Sequence, residues 1–241
     1  MEGPFLDSAT NKNSIIIIAE TAILNPAEIQ VYQNLSVNYS VFLNTLLFSN
    51  WVEILSEIRN DFEIVTFLDE RDKEFLPKYF LPFDTKTKFY NPAQLSDLTE
   101  NVIKNISTGS LKNMVLFYNS IGMTINDIMR SFNLIQSDEP SLVIGKSCQD
   151  KIVFTCTSGI DEDLLDPIFT TKRKYSKYLS SISNQDLFIH TLDNFLSIDD
   201  FEDIKKLYIE LSKKESLSYC SPKMHESFND LFIEYKELLN V

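Results

Sequence analysis

The segment Asn113-Met-Val-Leu-Phe-Tyr-Asn-Ser-Ile-Gly-Met-Thr124 decides how the rest of the chain is read. Met114–Tyr118 is a continuous apolar run, as expected of a strand covered on both faces. Asn119-Ser120 and Gly122 form a polar turn, and Thr124 with Asp127 suits a helix N-cap followed by an acidic first turn. Strand, turn and helix in this order belong to α/β sheets, where ligands gather at the carboxyl ends of the strands. An enzyme would usually place an acid there. This chain places an amide and a hydroxyl.

Working outward, Ser14–Ala19 reads as a second fully covered strand. Apolar residues at helical spacing from Pro26 to about Arg59 predict one long helix or two in succession. "DFEIVTFLD" is a strand ending at Asp69, followed by a short helix and loop carrying Pro77 and Pro82. A brief strand at Lys86–Tyr90 precedes a helix at about Gln94–Ser107, ending before Gly109. After the decisive segment, "SLVIG" and "KIVFTCT" form two strands joined by "KSCQD". Short helices follow around Glu162–Leu165 and Lys172–Ser183, then the strand "DLFIHTL", the amphipathic helix "DDFEDIKKLYIELSKK" and a final helix "KMHESFNDLFIEYKELL". Alternating strands and helices predict an α/β, three-layer α/β/α fold whose central sheet is mainly parallel, with the late strand pair adding mixed character. Residues 1–13 read as a flexible leader, and 14–241 as a single domain with 221–240 as an added C-terminal helix.

Composition narrows the function. The chain has 241 residues, is 44% hydrophobic and carries 18 Phe, enough for a substantial core. Its net charge of −13 argues against nucleic-acid backbones and anionic membranes as partners, since both reward clustered Lys and Arg. "SIIIIA" is too short to span a bilayer. The three cysteines, Cys148, Cys156 and Cys220, show no C-x-x-C pattern and suit a reducing, cytoplasmic setting. His190 and His225 are the only histidines, which disfavours a zinc site or a Ser-His-Asp triad.

The order of pieces resembles the bacterial glycosyltransferase-A-like family, within the Rossmann-like nucleotide-diphospho-sugar transferase superfamily and related to cofactor guanylyltransferases. In that family a V-V-L-I-G strand ends in S-D-C-P before a helix opening with L-T, and "MVLFYNSIGMT" has the same length and position. "VIGKSCQDKIVFT" stands where the family has a strand and E-D-G-G-Y-Y-L. Phe169-Thr170-Thr171 is similar to its W-S-T. "SIDDFEDI" is similar to its D-x-D-T-x-E-D-L, with Asp199, Glu202, Asp203 and Ile204 on matching positions. The agreement covers roughly residues 86–208.

The departures bear on chemistry. Family members that bind nucleotides carry K-x-P-x-x-G-x-x-K-T-R-L after the first strand, where Gly admits phosphate to backbone amides and basic residues neutralise it. Here "ETAILNPAEIQVY" has no Gly, Lys or Arg and adds Glu20. The family's metal-holding acid is replaced by Ser120 beside Asn119, so Mg²⁺ or Mn²⁺ is not expected as a cofactor. The E-D-G-G positions carry Cys148, Gln149, Asp150 and Lys151, with the acid displaced by one residue.

The candidate substrate-binding residues are therefore Glu20, Asn119, Ser120, Asp150, Thr171 and Asp199. Each also has a structural reading: turn chemistry for Asn119-Ser120, a solvated hairpin position for Asp150, and helix capping for Thr171, Asp199 and Asp203. Lys172-Arg-Lys174, the sole basic cluster, reads as a solvated helix face or a contact for phosphate or an acidic partner. Two functions stay open. One is sugar transfer from a nucleotide-sugar by a metal-independent route. The other is a catalytically inactive relative that serves as a binding or scaffolding module, with a protein partner or a second copy meeting the C-terminal helix.

Overall fold

A computed structural model describes residues 12–78, 80–81, 85–93, 95–106, 112–135, 139–158 and 162–239. Most of the leader and the positions of Pro82, Ser107 and Gly109 lie outside the described residues. The strands are β1 (Asn13–Ile18), β2 (Phe62–Asp69), β3 (Lys86–Tyr90), β4 (Asn113–Phe117), β5 (Ser120–Ile121), β6 (Ser141–Ser147), β7 (Ile152–Thr157) and β8 (Phe188–Ser197). The helices are α1 (Val37–Ser56), α2 (Leu95–Ile106), α3 (Ile125–Leu134), α4 (Glu162–Thr170), α5 (Tyr175–Ser181), α6 (Phe201–Leu211), α7 (Pro222–Glu234) and α8 (Lys236–Leu239).

The strands join in the order β3-β2-β1-β4-β7-β6-β8-β5. β1 to β4 are parallel, β6 and β8 are parallel to each other, and β7 runs against both of its neighbours. The mixed character lies in β7 and in β5, which pairs antiparallel with the end of β8.

Strand periodicity builds the three layers. Ile15 and Ile17 of β1 face one core with the buried side chains of α1, α3, α6 and α7, while Ile16 and Ile18 face the other with α2, α4 and α5. All four are at most 1% exposed. Burying such side chains contributes roughly 1.5–3 kcal/mol each, which is why a continuous β-branched run reads as a central strand. β4 repeats the division, with Met114 and Leu116 on the first face and Val115 and Phe117 on the second.

Local signals set the helix starts. Ser36, extended at φ −72° and ψ 163°, accepts the Tyr39 amide and starts α1, so the expected helix from Pro26 begins eleven residues later. Residues 26–36 instead form a loop that buries Ile29 and Tyr32. Thr124 and Asp127 make a reciprocal capping box for α3. Asp200 caps α6, and Ser221 caps α7 with Pro222 in its first turn.

Two boundaries differ from expectation because of left-handed backbone. α4 continues to Thr170, where Lys172 and Arg173 follow at φ 53° and 58°. Their amides return to Phe169 O (2.8 Å) and Ile168 O (2.7 Å), the pattern of a Schellman stop without its usual glycine. The next helix therefore starts at Tyr175 rather than Lys172. β8 also runs five residues past Leu192. The β6–β8 register advances two residues on β6 (Gly145 to Ser147) against three on β8 (Leu192 to Phe195). Asn194 absorbs the extra residue at φ 77°. The bulge turns Phe195, Leu196 and Ser197 inward after an exposed start, and delivers Asp199 to the carboxyl ends of β1 and β4.

Candidate functional site

At the carboxyl ends of β1, β4 and β8 the chain gathers Glu20, Asn119 and Asp199 around one guanidinium. Arg173 is 3% exposed and uses all three of its nitrogens. Nε meets Glu20 Oε2 at 2.7 Å, one terminal nitrogen donates to Asn119 Oδ1 at 2.9 Å, and the other meets Asp199 Oδ1 at 3.1 Å. The guanidinium carbon lies 4.6 Å from the centre of the Phe117 ring, a cation–π contact. Asn119 Nδ2 donates to Ile198 O and Asp199 Oδ1, and Ser197 Oγ donates to Asp199 Oδ2. Lys151 Nζ stands 3.9 Å from Asp199 Oδ2. The cavity bounded by Glu20, Asn119, Arg173 and Asp199, with Thr21, Gln30, Tyr32 and Tyr118, measures about 60 Å³. Burial pushes the Tyr32 and Tyr118 hydroxyls far above their ordinary pKa, so both are neutral here.

Three predicted residues are thus brought together and three are not. Ser120 Oγ donates back to Phe117 O at 2.6 Å, and its carbonyl accepts from Trp51 Nε1 at 2.8 Å; it closes a turn. Asp150 sits at φ 61° in the β6–β7 turn, not in a strand, and its carboxylate receives the Ser176 amide and hydroxyl at the start of α5. Thr171 donates to the α4 carbonyls of Pro167 and Ile168. Asp199 is not the cap of α6, a role Asp200 takes. The basic cluster is not simply a solvated helix face, since Arg173 points inward while Lys172 and Lys174 are exposed.

Arg173 escaped the sequence reading because the cluster's charge suggested solvent. A signal was present: the chain's one basic triplet directly follows the Phe-Thr-Thr segment and could neutralise Glu20 and Asp199. The turn is also strained. Two consecutive non-glycine residues in the left-handed region cost on the order of 1–3 kcal/mol each. The Arg173 carbonyl accepts from Ile152 N at 2.7 Å, which holds that turn against β7.

The loop after β1 lacks the glycine and basic residues of a phosphate cradle, and its amides are already engaged. Ile23 N donates to Asp72 Oδ2 at 2.8 Å, and Leu24 N and Asn25 N donate to Asp72 Oδ1 at 2.9 and 2.8 Å. Asp72 is fully buried at the end of a single 3-10 turn, Glu70–Asp72. Burial raises its pKa above the ordinary carboxylate value, against the pull of the three amides. Beside it, buried Asp69 binds Arg71 through Nε at 2.9 Å, and Arg71 also reaches Glu28. Neither Asp72 nor Arg71 stood out in the sequence.

These surroundings do not suit the divalent cation that the resemblance associates with such sites. Glu20 and Asp199 are the nearest acids, and the guanidinium between them would repel a second cation.

Asp203 holds the backbone of Asp199, accepting its amide. Burial alone would raise its pKa, but bonds from Lys206 (2.7 Å), Gln149 (2.9 Å) and the Asp199 amide (3.1 Å) outweigh it and lower the value. A depressed folded pKa gives stability that is present above the unfolded value of about 3.9 and lost as pH falls through the folded value. Asp203→Asn should therefore cost about 1–2 kcal/mol at pH 7, and its deficit relative to the parent should shrink below about pH 4. Urea midpoints at pH 7 and 3 check this, and a deficit unchanged between them would refute it.

No protein-family model and no curated protein sequence matches the chain. Solved structures do. A provisionally assigned nucleotide-diphospho-sugar transferase from Desulfovibrio desulfuricans G20 superposes over 95% of this chain and 96% of its own, with a TM-score of 0.69 and 12% identity. A 4-diphosphocytidyl-2C-methyl-D-erythritol synthase from Anaerococcus prevotii covers 84% of this chain and 97% of its own, with a TM-score of 0.50 and 14% identity. At these identities the likeness is one of fold. The chain therefore has the nucleotide-diphospho-sugar transferase-like fold, with an arginine-centred ion cluster at its strand ends.

Proposed function

We propose that this protein is a non-catalytic relative of the nucleotide-sugar transferases, a binding or scaffolding module that keeps their fold. The observation that carries this reading is Arg173, which occupies the strand-end site and is held there through all three nitrogens by Glu20, Asn119 and Asp199. The remaining 60 Å³ has room for a water or two, against the several hundred Å³ typical of small-ligand sites. The amides after β1 are committed to Asp72, which supports the same conclusion. In this reading the partner, a second copy or another protein, meets the C-terminal helices, where Ile233 and Leu238 are exposed. A cytoplasmic setting belongs to the proposal and is supported by three free thiols. No described helix is long and apolar enough to cross a membrane.

Calorimetric titration with UDP-glucose, GDP-mannose and CTP, each with and without Mn²⁺, tests this. The expected result is no saturable heat at ligand concentrations up to about 1 mM, weaker than roughly −4 kcal/mol of binding. Micromolar binding of any of them would overturn it. One observation favours the metal-independent transferase instead: a fixed cation stands at the strand ends, where such chemistry needs positive charge. That reading requires donor consumption without metal, lost in Arg173→Met.

A further inference from the structure

On the α1 side of the sheet a separate cavity of about 340 Å³ opens between α1, the start of α3 and the segment entering α7, sharing no lining residue with the cavity at Glu20. This volume is within the range of small-molecule sites. Glu53 and Glu57 line it one helical turn apart, and among the described residues neither pairs with a Lys, Arg or His. Asn50, 2% exposed, lines it too. Its Nδ2 donates to Tyr219 O at 3.1 Å, while its Oδ1 accepts no hydrogen bond among the described residues. Among the described residues only Asn113 Nδ2 and Thr155 Oγ1 are sealed from solvent without a partner, so Asn50 Oδ1 faces the open cavity as a free acceptor.

The start of α3 adds hydrogen-bond donors to the same lining. The capping box of α3 uses the amides of Thr124 and Asp127. The Ile125 and Asn126 N–H groups have no partner among the described residues, and both residues line the cavity. Free amides at a helix start favour an anion. Acceptors on α1, donors on α3 and apolar surface from Ile54 and Leu217 thus meet in one space.

We propose that this cavity binds a compact zwitterion of the amino-acid class. Its ammonium meets Glu53, Glu57 and Asn50 Oδ1, its carboxylate meets the start of α3, and its aliphatic part lies on Ile54 and Leu217. This goes beyond the proposed loss of nucleotide chemistry and does not depend on it. The test is calorimetric titration of the full chain with L-leucine, with 3-methylbutylamine (the ammonium alone) and with 4-methylpentanoate (the carboxylate alone). Leucine should bind saturably and about ten-fold or more tighter than either half. Glu53→Gln/Glu57→Gln should weaken leucine by a similar factor, and Leu217→Trp, at an exposed position, should block it. Circular dichroism confirms that each variant is folded. The proposal fails if leucine shows no saturable binding, if either half binds as tightly as leucine, or if both variants bind it as the parent does.

Discussion

Arg173→Met should lower stability by about 3 kcal/mol, the low end of the range for removing one partner of a buried ion pair. For a chain of this size that corresponds to a fall in Tm of about 6–12 °C. Methionine keeps an apolar stem of similar length, so the change removes the guanidinium together with its cation–π contact to Phe117. What remains is two carboxylates, Glu20 and Asp199, side by side with Asn119 Oδ1 unpartnered. Each acid is about 30% exposed, so water takes up part of the charge and the loss stays below that of a fully enclosed pair. Arg173→Lys should recover only part, because an ammonium cannot reach three partners in the planar fork. The triple change Arg173→Met/Glu20→Gln/Asp199→Asn should return to within about 1 kcal/mol of the parent, since neutral partners no longer need a counter-charge. A single Arg173→Met variant as stable as the parent would show that the cluster holds nothing together.

The legibility of this cluster from sequence was uneven for a physical reason. Ile15–Ile18 and Met114–Phe117 announce themselves because burial on both faces demands an unbroken apolar run, and Thr124 with Asp127 because a cap needs those side chains at that spacing. Glu20, Asn119 and Asp199 could be named as candidates because each lies at or just after the carboxyl end of a strand. Arg173 and Asp72 could not, because their partners are 26 to 153 positions away in the chain. Nothing local distinguishes a buried arginine from two lysines beside it. The same holds for the ends of α4 and β8, where left-handed residues other than glycine carry the turns and break the usual punctuation. Positions held by tertiary contacts leave little trace in composition or period.

Asp72→Ala should cost about 2–4 kcal/mol, because three backbone amides lose a charged acceptor at once while the burial cost of one carboxylate is relieved. Asn in its place should cost about 1–3 kcal/mol, since its oxygen can keep the Leu24 and Asn25 amides while its NH₂ group faces the Ile23 N–H. The second consequence is more telling. Three successive amides converging on one carboxylate form the kind of concavity that elsewhere holds anions. If Asp72 occupies a phosphate-like position, removing it leaves an anion site without an anion. Inorganic phosphate should then raise the Tm of Asp72→Ala while leaving the parent unmoved, with about 1.4 kcal/mol regained at ten times the dissociation constant. Chloride at matched ionic strength separates site binding from screening. Equal responses of variant and parent to phosphate would mean that the loop after β1 owes its shape to other contacts and that Asp72 mimics nothing. A selective response would mean that the fold still shapes a phosphate cradle after β1 and that this chain fills it with its own side chain.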